Sequence, residues 1–280
     1  MSTVVALTIA GSDPCAGAGL QADLKTFSAL GVYGCSVVTA ITAQNTIGVE
    51  QVWAVPVGSV AVQLQTLLKD VFVSAIKFGM LNNAQVIQEI SDVLEGYPDI
   101  PVVCDPVILS SSGKKLLSDE GLAALKAFLK KQSKRKIVLT PNIHESAMLL
   151  GQEAATNEEQ MIAQAEQLLT LGCTAVVLTG GHLDGKGELS TNKSRQISDV
   201  LVYRENNIQS CEVFRAEKVK TKNTHGTGCT FSAAIASGLA KNMSLPDSVA
   251  MAKEYITHAI THADDLMIGS GAGPLQHFYQ

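Results

Sequence analysis

The stretch with the clearest chemical content is Asn223-Thr224-His225-Gly226-Thr227-Gly228-Cys229-Thr230-Phe231-Ser232-Ala233-Ala234. A polar loop with two glycines runs straight into a helix of small residues. The N–H groups of Gly226, Thr227, Gly228 and Cys229 lack helical partners there, and the helix dipole adds positive potential. The segment therefore reads as an anion hole. Gly226 and Gly228 let a phosphate approach the backbone closely. Cys229 falls in the first turn, where a thiol pKa tends to fall. The same spacing also fits an ordinary turn before a core helix, with Cys229 a small apolar side chain.

A second glycine loop spans Gly11 to Gly19, and Gly17-Ala18-Gly19-Leu20-Gln21-Ala22 formally matches the G-x-G-x-x-A dinucleotide fingerprint. The run Tyr33–Ala43 offers no acid for a ribose, which argues against a dehydrogenase. No G-x-x-x-x-G-K-S/T loop occurs. Asp23, one turn into the following helix, either faces a crevice or is solvated near a favourable dipole. His258 and His262 have i,i+4 metal spacing, but the residues between them include no zincin glutamate and no third ligand follows. Packing of that helix with solvated histidines is the plainer reading.

These loops need elements to hold them. Val4–Ile9, Tyr33–Ala43, Ala75–Phe78, Val102–Cys104, Ile137–Leu139 and Ala175–Leu178 read as strands, mostly uncharged and β-branched. Helices are predicted from Gly17-Ala18-Gly19 to Gly31, and over Val57–Leu68, Asn83–Leu94, Ser118–Lys131 and Asn157–Leu171. Two more run over Gly228–Ala240 and Leu245–Asp265. Thr140-Pro141 stops the fifth strand. Asp199–Tyr203 and Cys211–Arg215 flank Glu205-Asn206-Asn207 as an antiparallel edge hairpin. The alternation implies an α/β fold, a mostly parallel sheet with helices on both faces, and one domain over residues 1–280. Ligands in such sheets bind beyond the carboxyl ends of the strands, where these loops lie.

The 280 residues are 46% hydrophobic and 17% charged, with a net charge of −5, so a disordered chain and an electrostatic grip on nucleic acid are both disfavoured. Six scattered cysteines without a C-x-x-C pair, no basic leader and no long apolar run predict a reduced, cytoplasmic protein off the membrane.

Four motifs occur in a telling order: Ala6-Leu7-Thr8-Ile9-Ala10-Gly11-Ser12-Asp13, Gly17 to Phe27, Thr140-Pro141-Asn142, and His225-Gly226-Thr227-Gly228-Cys229-Thr230. Together they resemble the hydroxymethylpyrimidine (phosphate) kinases of thiamine biosynthesis, within the ribokinase-like superfamily, over Val4 to about Pro274. The resemblance implies a three-layer sandwich, commonly dimeric. It also implies phosphorylation by ATP of 4-amino-5-hydroxymethyl-2-methylpyrimidine and then of its monophosphate. Cys229 matches the position of the base in this family and in the related pyridoxal kinases. Gln44 matches the residue that contacts the pyrimidine, and a carboxamide can both donate to and accept from an aminopyrimidine edge. Gly11, Asp23, Met80 and Val107 match pocket-lining positions. Asp105, Asn142, Glu145, Thr179 and Gly181 match the nucleotide side, with Asp105 and Glu145 holding Mg²⁺ through water. Read without the resemblance, Asn142 and Glu145 are a helix cap and a first-turn acid.

The chain departs from the family in three places. Thr179 stands where many members carry Lys before Gly180-Gly181-His182. Ile108–Gly113 differs from the usual Ala-Lys-Ser-Gly-like stretch. Cys15-Ala16 replaces a Ser-Gly pair. A pyridoxal/pyridoxine kinase, in which Cys229 forms a hemithioacetal, is thus the second reading, and a non-catalytic ligand sensor the third.

Overall fold

The computed structural model describes residues 3–110, 113–181, 196–206 and 208–279. His182, Ser111, Ser112 and Asn207 from the motifs above lie outside them. Among the described residues, nine strands form one sheet: β1 (Val5–Ser12), β2 (Tyr33–Gln44), β3 (Val49–Ala54), β4 (Ala75–Phe78), β5 (Val102–Cys104), β6 (Ile137–Leu139), β7 (Ala175–Thr179), β8 (Gln196–Glu205) and β9 (Ile208–Glu217). Their order is β3-β2-β1-β4-β5-β6-β7-β8-β9. The central six are parallel, while β3 at one edge and the β8–β9 hairpin at the other are antiparallel. The chain moves outward from β1 to β2, then returns to place β4 on β1's other side. Loops after β1 and β4 therefore part at a topological switch, the usual ligand crevice of such sheets.

Helices cover both faces. They are α1 (Gly19–Ala29), α2 (Ser59–Leu68), α3 (Ala84–Leu94), α4 (Asp119–Lys131), α5 (Ile143–Leu150), α6 (Glu158–Leu169), α7 (Thr227–Ala240) and α8 (Leu245–Thr261). The two-residue period of the strands separates two cores. Leu7, Ile9, Ile76, Phe78 and Val102 pack among the residues of α2–α6, while Ala6, Ala75, Val103 and Val138 pack with α1, α7 and α8. Alanines on both the sheet and α7 (Ala233, Ala234 and Ala236) let α7 lie close over the strands. This is the three-layer α/β arrangement expected from the sequence.

The boundaries differ in places with physical causes. β3 was not foreseen, because Val49–Ala54 mixes Glu50, Gln51 and Trp53 on a half-exposed edge that shows no apolar run. α2 starts at Ser59 rather than Val57, because Gly58 takes φ 81° as the N-cap. α8 ends at Thr261, and a 3₁₀ turn continues over Ala263–Asp265. Gly31, at φ 67°, closes α1 as expected.

Gly226 is the N-cap of α7, with φ 85°. A Cβ there would stand 1.8 Å from the carbonyl oxygen of Gly17, so the loops before α1 and α7 touch backbone to backbone. Gly226→Ala should therefore lower unfolding stability by about 1–3 kcal/mol through strain and this clash. Urea denaturation reads it directly, and an unchanged midpoint would mean that the two loops are not in contact.

Candidate functional site

The side chains on the α1–α7 face of β1 and β4 are mostly small and apolar, but two are not. Thr8 and Lys77 alternate with residues of the opposite core and so point at α1 and α7. Both are fully buried. Lys77 Nζ donates to both oxygens of Asp23 at 2.9 Å, and Thr8 Oγ1 donates to Asp23 Oδ2 at 2.6 Å. Burial would lower the Lys77 pKa, but the carboxylate of Asp23, with Cys229 and Asp105 near it, holds the ammonium charged, above its usual range. Asp23 thus does not face the crevice as a free ligand. It is the counter-ion of a lysine the sequence reading passed over. The available signal was a lone charge inside the four-residue central strand Ala75-Ile76-Lys77-Phe78.

Above this pair lie the groups expected to handle phosphate. Cys229 is the third residue of α7, partly exposed, and its sulfur receives the backbone N–H of Gly19 at the start of α1. Two helix N-termini therefore converge on one thiol. Its pKa is nonetheless not lowered. Burial pushes it up to about 12, Lys77 opposes, and the charges of Asp105 and Asp23 add to the rise. The thiol is thus not depressed as expected: desolvation and two carboxylates outweigh the lysine and the Gly19 N–H. Gly228 is exposed, and a Cβ on it would meet only Asp105 Oδ2, at 3.8 Å, so the N-terminus of α7 opens beside that carboxylate.

Asp105 follows β5 and accepts from Ser232 Oγ at 3.3 Å. Burial raises it to about 6, with Lys77 opposing and Asp23 contributing. Glu145 is buried near it, and burial followed by the charge of Asp105 raises it to about 8. Asn142 and Glu145 do form a capping box. Asn142 Oδ1 accepts from the N–H groups of His144 and Glu145, and Glu145 Oε2 accepts from Asn142 N at 3.0 Å. Two mutually repelling buried carboxylates are a donor set short of positive charge. That fits hydrated Mg²⁺, for which a few carboxylate contacts suffice. Asn142 bridges to Thr179 at the ends of β6 and β7. Gly181 is exposed beyond it. Lys253 is committed to Asp199 at 2.7 Å, and Asp199 also accepts from Gly180 N.

A further group of polar side chains gathers around His225. Its Nε2 lies 2.9 Å from Asp13 Oδ2 and 3.1 Å from Gln44 Nε2. Asp13 is held below the usual carboxylate range despite its burial, because His225, Ala18 and Cys15 donate to it. The side chains of Asp13 and His225 were not singled out beforehand, because their meeting spans 212 positions. Met80 packs on Gly11, where a Cβ would meet its Cε at 2.3 Å. Val107 and Asp105 line a cavity of about 10 Å³ with Gly79 and Pro106, room for one water. A cavity of about 710 Å³ lies elsewhere, between Lys220–Asn223 and Asp264–Gly269, and holds none of the expected residues. His258 and His262 both stack on Tyr279, which is the packing reading rather than a metal pair.

A family model described as phosphomethylpyrimidine kinase matches residues 13–276. The chain belongs to this family. The hydroxymethylpyrimidine/phosphomethylpyrimidine kinases of Escherichia coli and Rhizobium meliloti are 43% and 45% identical to it, over 100% and 99% of this chain and 99% and 98% of theirs. Among solved structures, the phosphomethylpyrimidine kinase of Clostridium difficile is 38% identical at TM-score 0.76, covering 92% of this chain and 100% of that one. An ADP complex of Bacillus subtilis pyridoxal kinase is 34% identical at TM-score 0.83, covering 99% of this chain and 98% of that one. The family drawn from four motifs is the family found, and the chain is a kinase with the ribokinase-like fold.

Two consequences of the buried charges can be measured on this kinase. Lys77→Met strands Asp23 and should cost about 3–5 kcal/mol of stability, while adding Asp23→Asn should restore most of it. Calorimetry of both variants decides, and equal losses would refute the pairing. Glu145 and Asp105 have raised native pKa values, so the native state holds more protons than the unfolded chain. Stability of the metal-free protein should therefore be highest below about pH 4 on their account, and fall as pH rises through about 6 and about 8. Glu145→Gln should flatten the upper part of that slope in urea titrations.

Proposed function

We propose that this kinase transfers the γ-phosphoryl group of ATP to 4-amino-5-hydroxymethyl-2-methylpyrimidine, and then to its monophosphate, for thiamine biosynthesis. The observation that carries this reading is the near-full-length identity to kinases named for both substrates. The pocket supports it chemically. Gln44 sits at the carboxyl end of β2, where its amide can pair with the amino and ring-nitrogen edge of the pyrimidine. The N–H groups of Gly226, Thr227, Gly228 and Cys229 hold the transferring phosphoryl group. Asn142, Thr179 and Gly181 border the nucleotide, and Gly11, Met80 and Val107 wall the acceptor. Asp105 and Glu145 hold Mg²⁺ through water, and the ion neutralises phosphate charge when bound.

Cys229 accepts the hydroxymethyl proton. Its own proton must leave first, and Lys77 together with the Gly19 N–H are the groups of this chain that favour the thiolate. The second transfer starts from a phosphate monoester that is already ionised, so the base matters less there. Supporting a cytoplasmic, homodimeric, single-domain enzyme, all six cysteines are unpaired and one continuous sheet runs through the chain. Ile41 and Trp53, paired across β2 and β3, are also more than half exposed. No helix among the described residues is long and apolar enough to cross a membrane. The second reading, a pyridoxal kinase, is favoured by Thr179 and by the likeness to the Bacillus subtilis pyridoxal kinase.

ADP release with ATP-Mg²⁺ should be steady with hydroxymethylpyrimidine and its monophosphate and slight with pyridoxal. Turnover of pyridoxal alone would install the second reading, and silence on all three would leave the sensor. Gln44→Ala should raise KM for the pyrimidine about 5- to 150-fold, the loss of one hydrogen bond of about 1–3 kcal/mol. Cys229→Ser should slow the first phosphorylation more than the second, and equal losses would remove its role as base.

A further inference from the structure

Beside the acceptor pocket, three metal-ligating side chains of different chemistry point at one spot. Asp13 Oδ2, Cys15 Sγ and His225 Nε2 all lie within 4.8 Å of one another. The nitrogen is 2.9 Å and the sulfur 3.8 Å from the same carboxylate oxygen. These are near the ligand-to-ligand spacings around a tetrahedral ion. The arrangement is held in place. Asp13 accepts from the N–H groups of Cys15, Gly17 and Ala18, which folds the loop so that Cys15 returns over the carboxylate. Ala16 turns the chain at φ 58°. The imidazole is pressed on Gly17, where a Cβ would meet Cδ2 at 2.3 Å. Cys15 contributes a thiol rather than a hydroxyl, which makes the set attractive to soft cations.

The polar bookkeeping points the same way. His225 Nε2 faces both Asp13 Oδ2 and the Gln44 amide, so one ring nitrogen is shared by two polar side chains. A cation replaces the proton that Asp13 and His225 share. Ligation by Cys15 releases its S–H proton to solvent, since a coordinating thiol is deprotonated.

We propose that Asp13, Cys15 and His225 form a binding site for a thiophilic divalent cation of the zinc class, with the fourth position open to the pocket. Occupation takes His225 from Gln44 and fills space beside it, so the bound ion competes with the pyrimidine. The site rests on the three ligands alone, whereas the competition also rests on the reading of Gln44 as the substrate contact.

Cobalt(II) added to the full chain tests the site through its thiolate charge-transfer absorption, displaced by zinc. The band should appear at one equivalent, persist in Cys229→Ser and vanish in Cys15→Ser. A band that survives Cys15→Ser, one that is lost in Cys229→Ser, or no band at all overturns the site. The spectrum reads the site whatever the substrate proves to be. With Mg-ATP saturating, zinc should inhibit competitively against hydroxymethylpyrimidine. Cys15→Ser should need at least tenfold more zinc for half-inhibition relative to its own metal-free rate. The expected band without competition overturns the inhibitory role and the Gln44 reading with it.

Discussion

A lysine buried beneath the crevice is the constraint around which the rest is arranged. Lys77 lies in the central strand β4 with no solvent access, and a charge so placed is tolerable only with a close counter-ion and further hydrogen bonds. Asp23 and Thr8 provide both, which fixes α1 against the sheet. The cation then sets the electrostatics of everything above it. It opposes the rise of Asp105 and of the Cys229 thiol, the two groups that phosphate chemistry would draw on.

The second layer of order is backbone contact. The loops entering α1 and α7 touch through Gly17 and Gly226, and Gly19 donates its N–H to the Cys229 sulfur. Two helix N-termini thereby share one crevice, at the point where the strand order reverses. Positive potential from both ends suits a transferring phosphoryl group. The same convergence brings Asp13 to His225, so the groups around His225 and the N-terminus of α7 are parts of one packing event.

Burial has a cost in ionisation. Asp105, Glu145 and Cys229 each sit where the neutral form is favoured, and the charge of Asp105 makes both Glu145 and Cys229 harder to ionise. A site poised in this way is short of positive charge and gains most when cations arrive with the nucleotide. Perturbed groups of this kind cluster where chemistry is done.

The sequence by itself determined the α/β class, six of the nine described strands in place, both strands of the hairpin, the cap at Ser118, and the glycine loop that opens α7. These are local matters of period, capping and turn chemistry, legible over a dozen residues. β3 was not legible, because a half-exposed edge strand carries polar residues that blur its alternation. Only the tertiary structure decided that Asp23 answers Lys77, that His225 joins Asp13 to Gln44, and that Cys229 is raised rather than lowered. Each of those depends on desolvation and on partners tens to hundreds of positions away, brought together by the crossovers of the sheet.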